Sequence, residues 1–428
     1  MDAPRHPAAP PVSPRRCRPR PPARDGLRPS DLMTAFFALG IGFMLAGAAV
    51  AAVDAAVGWT PGHWLALHLV FVGGVSQLVL GAGQFFAGAF LATDPPRRWL
   101  VRLQLGAWNA GTVLVALGVP ADLAPATIAG AVLLAIGLGA FVAGLDSLCR
   151  HSLQRAPWAV RWYEACAAFL GTGVLIGVLL TTGVRWSVGS LLGAHMTLNL
   201  AGWFGTAIVG TLHTFFPSLT QTHLRFAALQ RPTFACWTLG TAALATGYGL
   251  GAGPLVLAGW GGLTLAAALL GTNLLASLRR SPTELTLPAR LIAAAQACLV
   301  LGLSLAFAGA LGGEATAPPV GFVREAIAIL LLPGWLGLTV LGSLLHLLSV
   351  LVRVRDLRRS LPAARPARDR ALVAVALGAV LAVAAARTRD LAPLATPASF
   401  ALLASYLVLG SRVLARAAQA LRGRLPRV

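Results

Sequence analysis

The sequence predicts an all-α membrane protein, a bundle of twelve transmembrane helices. Three observations predict it. First, 57% of the 428 residues are hydrophobic and only 11% are charged, where a soluble domain carries about a quarter charged residues. Second, apolar runs recur at the length needed to cross a hydrocarbon core, roughly 20 residues for about 30 Å. Third, the arginines fall on alternate connections between those runs. Together they exclude an ordinary cytosolic enzyme, a disordered chain and a secreted disulfide scaffold.

The elements follow in order. Residues 1–31 are rich in Pro and Arg and contain no apolar run. They read as a disordered basic cytoplasmic tail resting on anionic headgroups. The Arg15-Arg16 pair is not followed by the apolar stretch and cleavage site of an export signal. Spans are then expected at 32–57, 63–92, 99–119, 124–148, 158–183 and 188–217. Six more follow at 232–251, 254–278, 287–312, 322–352, 370–387 and 395–417, and a basic cytoplasmic tail ends the chain at 418–428. Pro, Gly and Arg break the runs: Gly58 and Pro61, Pro95 to Arg98, Pro120, Arg150 and Pro157, Gly251, and Arg279 to Pro282.

The net charge is +20, and every one of the 34 basic residues is Arg. Because these arginines lie between apolar segments, they argue topology rather than nucleic-acid binding. With the amino terminus inside, 30 of the 34 fall on the cytoplasmic side, leaving only Arg185, Arg324, Arg387 and Arg389 outside. Positive charge is retained on the side it is made, so an even helix count with both termini cytoplasmic is expected, in a bacterial inner membrane. The five cysteines, Cys17, Cys149, Cys166, Cys236 and Cys298, form no CxxC. No structural zinc, covalently attached c-type haem or disulfide framework is expected.

Polar groups are costly in hydrocarbon and often mark function. The carboxylates Asp54, Asp146, Glu164 and Glu325 lie near span ends, which argues against a proton pump. Histidine is different. Five fall inside spans: His63, His68, His195, His213 and His346. Neutral imidazole is the commonest protein metal ligand and the usual axial ligand of haem. His151 and His223 fall in Arg-containing connections and read as solvated. In the sixth span His195 and His213 are 18 residues apart, about five turns and roughly 27 Å, so both project from one face. Asn199, Gly202, Thr206 and Gly210 share that stripe, which also reads as a plain helix-packing surface. In the second span His68 lies about 7 Å deeper than the interfacial His63, and the Gln77/Gln84 stripe lies on another side. His346 lies near the far end of the tenth span. Two layers result, an outer pair of His68 with His195 and an inner pair of His213 with His346.

These segments resemble the catalytic-subunit family of haem-copper oxidases. They are more similar still to its divergent bacterial relatives, the membrane proteins linked to nitric oxide stress and the helical domains found beside copper nitrite reductases. Those relatives carry His-x-His-x-Asn, then Gly, then a His shortly before Pro. His195, Asn199, Gly202, His213 and Pro217 fit, with Thr197 at the second His position. Leu67-His68-Leu69 followed by Gly73-Gly74 is similar to their second helix. The resemblance implies a subunit I-like twelve-helix bundle; its specific match is confined to the second and sixth spans. The family's paired His on helix 7 and two close His on helix 10 are missing, so the resemblance implies a low-spin or sensing site rather than an oxygen-reducing one.

The leading expectation is a haem b- or copper-binding membrane redox protein, with electron transfer or nitrogen-oxide handling as its task and a copper enzyme or other redox protein as its partner. His68 and His195 are the expected metal ligands, His213 and His346 further haem ligands, and Asn199 and Thr206 groups that orient them. The alternatives are a metal-free transporter, a structural subunit without cofactor, and a non-haem iron oxygenase acting on a lipid such as a carotenoid. The last wants three or more ligands at one depth.

Overall fold

The computed structural model describes residues 27–153, 158–313, 318–319, 321–355, 365–388 and 391–422. The described residues form helices and no strand. In our numbering α1 is Pro29–Val57, α2 Gly62–Leu91, α3 Arg98–Gly118, α4 Ala124–His151 and α5 Trp158–Thr181. Helix α6 runs through Leu191–Thr197, Leu198–Gly205 and Thr206–Leu219. Then come α7 (Gln230–Leu250), α8 (Gly253–Arg280) and α9 (Leu287–Leu311). Helix α10 runs through Gly321–Ile329, Leu330–Gly337 and Leu338–Arg355, followed by α11 (Pro366–Thr388) and α12 (Ala392–Leu421). Proline opens α1, α4, α8, α9 and α12 in their first turn, where its missing N–H costs nothing. Gly58 and Gly251 close α1 and α7 with positive φ.

Each of the twelve expected runs is therefore a helix, with ends displaced by a few residues. Helix α1 begins inside the stretch read as tail, α12 continues to Leu421, and most of both tails lies outside the described residues. Among the described residues, ten helices are long and apolar enough to cross a membrane. The other two are α6 and α7. Helix α6 carries His195, Asn199, His213 and four threonines, and α7 carries Gln230, Arg231 and four more. Their hydropathy is lowered by the polar side chains that the bundle takes in.

The packing repeats three times along the chain. The inner helices α2, α6 and α10 each contain one π-helical segment, Leu69–Val75, Leu198–Gly205 and Leu330–Gly337. The segments align on a shared pattern: Gly73 through Gly81, Gly202-Trp203-Phe204-Gly205 through Gly210-Thr211-Leu212, and Gly334-Trp335-Leu336-Gly337 through Gly342-Ser343-Leu344. The first glycine of each faces Phe43, Phe169 or Cys298, and the second faces Phe36, Trp162 or Leu291 and its neighbours. Those partners are seven residues apart on α1, α5 and α9 in every case. A Cβ on Gly210 would fall 2.3 Å from Trp162 Cγ, so the close approach requires glycine there.

The outer hairpins repeat as well. Trp108-x-x-Gly111-Thr112 on α3 returns on α7 as Trp237-x-x-Gly240-Thr241. Gly111 meets Gly130 and Leu134 of α4, and Gly240 meets Gly259 and Leu263 of α8, so the partners recur at the same offset as the motif. The chain is thus three four-helix units, α1–α4, α5–α8 and α9–α12, joined into a ring. Contacts of α4 with α5, α8 with α9 and α12 with α1 close it.

Candidate functional site

A π-helical turn takes its carbonyls off the regular ladder, and in lipid each such group needs a partner. Here one equivalent carbonyl per repeat receives a side chain. Val72 O accepts Trp108 Nε1–H at 3.0 Å, Ala201 O accepts Trp237 Nε1–H at 3.0 Å, and Pro333 O accepts the Tyr406 hydroxyl. These bonds fix the twist of the inner helices, and the inner helices carry all five histidines that lie within expected spans.

Register then sets their depths. His68 is five residues before Gly73 and His195 is seven before Gly202; His213 is eleven after Gly202 and His346 twelve after Gly334. Helices in equivalent positions thus carry the histidines in two layers, roughly 25 Å apart. By this count His68 and His195 share one level and His213 and His346 the other.

In the first layer both rings are held the same way. His68 Nδ1–H donates to Trp64 O at 2.9 Å, and the ring stacks on Trp64 with centroids 3.8 Å apart. His195 Nδ1–H donates to Gly173 O of α5 at 2.9 Å. A carbonyl only accepts, so in both rings the proton is on Nδ1 and the lone pair on Nε2. Their helices pack on each other: Trp203 Nε1–H donates to Ser76 Oγ at 2.9 Å and Phe71 lies 5.7 Å from Phe204. Small residues on α5 make room: a Cβ on Gly177 would sit 3.1 Å from His195 Cε1, and one on Gly173 would sit 2.8 Å from Asn199 Nδ2. Asn199 Nδ2 donates to His195 O at 2.7 Å and lies 3.4 Å from its Nδ1. Asn199 therefore touches His195. Thr206 does not serve either histidine: its hydroxyl bonds Ala201 O at 3.3 Å, inside the π-helical segment.

In the second layer His213 is held much as His68 is. His213 is buried, its Nδ1–H donates to Val209 O at 2.8 Å, and its ring stacks on Trp162 of α5 at 5.8 Å. Its Nε2 is buried with no hydrogen-bond partner. His346 lies edge-on to Phe215 at 5.4 Å. The two rings rest against different neighbours. His63 is exposed. The stripe of α6 from His195 to His213 does pack on α5, which is the packing reading of that face.

The glutamine stripe of α2 is spent on α3. Gln77 Nε2–H donates to Asn109 Oδ1 at 2.8 Å and Gln84 Nε2–H to Gln104 Oε1 at 3.0 Å. Among the described residues, no three His, Cys, Asp or Glu side chains gather closely enough to hold a metal ion. In the first layer His68 and His195 each commit Nδ1 to a backbone carbonyl. Sequence reasoning missed the capping residues Trp108, Trp237 and Tyr406, and the stacking role of Trp162. The repeated Trp-x-x-Gly-Thr was the signal that would have found two of them.

No family model matches the chain, and a search of curated proteins finds no significant relative.

Proposed function

We propose that the protein is an integral membrane redox protein in which His68 and His195 hold the iron of a b-type haem or a copper ion. One observation carries the reading. Two imidazoles from neighbouring inner helices each present Nε2 while a backbone carbonyl fixes Nδ1. Ligating histidines take this arrangement, because the second bond sets the tautomer and raises ligand basicity. The bound metal would supply a one-electron couple within the bilayer. The chain's own part is to hold the rings, with Trp64, Gly173 and Asn199, and to bury them among helices. Iron held by two histidines has no open position for oxygen and relays electrons, which favours electron transfer, toward a copper enzyme or a nitrogen-oxide pathway, over oxygen reduction. His213, with its unpartnered Nε2, and His346 mark the second level at which a further haem would be held.

The reading also takes all twelve helices as membrane spans, in a bacterial inner membrane with both termini cytoplasmic, supported by the arginine distribution. The test is the oxidised and reduced absorption spectrum of detergent-purified protein together with metal analysis. A Soret band that moves on reduction, or copper at one per chain, is expected; neither being present overturns the proposal.

A metal-free transporter is the second reading, and the buried amides between α2 and α3 favour it, since Gln77 Oε1 and Gln104 Nε2 are buried without partners. Ion-dependent uptake of a polar solute into proteoliposomes, lost in Gln77→Leu, would establish it.

A further inference from the structure

The three inner helices, with Phe37 of α1 and Tyr163 of α5, line a partly open cavity of about 90 Å³. Its wall takes equivalent positions from each repeat: Val79, Ile208 and Val340 at one level, and Ala82, Thr211 and Ser343 one turn on. The void therefore lies on the pseudo-threefold axis. All six residues are half-buried although they belong to the innermost helices. Phe86, Phe215 and Leu347 close one end at a third equivalent position. The cavity exists because the middle level is filled by small side chains in all three repeats.

The wall is chemically dry. Apart from that of Ser343, its few hydroxyls are already committed. Tyr163 Oη and Thr211 Oγ1 hydrogen bond to each other at 2.7 Å, and Thr211 also donates to Ala207 O at 2.7 Å. Thr339 Oγ1 accepts from Gln296 Nε2 at 3.3 Å. A buried water needs two to four polar partners, whereas voids lined by hydrocarbon stay dry and take apolar guests such as xenon or benzene. No charged side chain and no histidine reaches the wall.

We propose that this axial cavity is a binding site for a small, uncharged, apolar molecule of the size of a dissolved gas. The site is separate from the histidine layers and stands whether or not a metal is bound there.

Xenon is the probe. Crystals of the full chain pressurised with xenon should show one anomalous peak on the axis between Ala82, Thr211 and Ser343. Ala82→Leu fills the void and should abolish the peak. Ser343→Ala keeps the shape and removes a hydroxyl, so it should retain xenon. Leu239→Ala, on an exposed face of α7, is the control and should leave it unchanged. Absence of the peak in the folded wild-type protein overturns the proposal. So does ordered water filling the cavity, an elongated lipid or detergent tail in its place, or loss of xenon in Ser343→Ala. If Ala82→Leu does not fold, the Ser343→Ala result and the wild-type map still decide.

Discussion

At the scale of single residues, the proposal rests on which nitrogen each histidine leaves free. His195 depends on three neighbours: Gly173 supplies the carbonyl, Gly177 the space, and Asn199 a second contact at 3.4 Å. His68→Ala and His195→Ala should each remove the Soret band or the bound copper, measured by spectrum and metal analysis on protein that still elutes as a single species. His63→Ala should change neither, because His63 is exposed. Only an oxygenase with three ligands at that level would need it. Asn199→Ala removes a group that touches a ligand rather than the metal. Such changes cost about 10–100-fold in metal affinity, so competition with a chelator should show weaker retention while the spectrum of the loaded form persists. Unchanged retention would leave Asn199 a packing residue alone. These contacts were half legible in advance. The depth of each histidine follows from counting residues. The direction of each ring does not, because it depends on α5 glycines that carry no chemistry of their own, and Thr206 shared the stripe yet bonds its own backbone.

At the scale of the helix, the π-helical segments decide what faces what. Each displaces a carbonyl, and each displaced carbonyl is met by an aromatic donor from a neighbouring helix. The repeats differ in one respect that can be measured. Val72 O accepts Trp108, whereas Ala201 O accepts both Trp237 and the Thr206 hydroxyl. Trp108→Phe should therefore leave a carbonyl unsatisfied, at a cost of about 1–3 kcal/mol. Trp237→Phe should cost less, since one donor remains. Both side chains are buried to the same degree, so the lost packing is similar and the difference in thermal midpoint isolates the hydrogen bond. Equal destabilisation would mean that these tryptophans act by volume. Helix positions were readable from sequence because apolar run length and Pro, Gly and Arg breaks are local signals. The π-helical segments were not, since Leu-Val-Phe-Val-Gly-Gly-Val and Leu-Leu-Leu-Pro-Gly-Trp-Leu-Gly look like ordinary spans. The repeat escaped because few residues recur and its spacing drifts: the step from Gly73 to Gly202 is shorter than the step from Gly202 to Gly334. What the units share is small-to-large packing, and that becomes visible only when the partners are seen together.

At the scale of the whole molecule, threefold closure explains why α6 and α7 can be too polar to cross a membrane by composition and still belong to the bundle. Helix α6 occupies the same place in the second unit as α2 and α10 in the first and third. Its polar side chains are covered by α5, α7 and α8: His195 by Gly173 and Gly177, His213 by Trp162, and the π-helical carbonyl by Trp237. On the twelve-span reading, a helix in that place spans because its neighbours replace water as hydrogen-bond partners. The alternative, ten spans with both polar helices left on one side, makes a different prediction about the connection between them. With twelve spans the 220–229 connection, holding His223 and Arg225, is cytoplasmic and Arg185 lies opposite. With ten, both connections face outward. His223→Cys and Arg185→Cys, each introduced into a full-length chain whose five native cysteines are replaced by serine, separate the two. A membrane-impermeant maleimide should label the cysteine at 185 in intact cells, and the one at 223 only after permeabilisation. Labelling at both sites in intact cells would remove α6 from the bilayer, and with it the parallel alignment of α2 and α6 that pairing His68 with His195 requires.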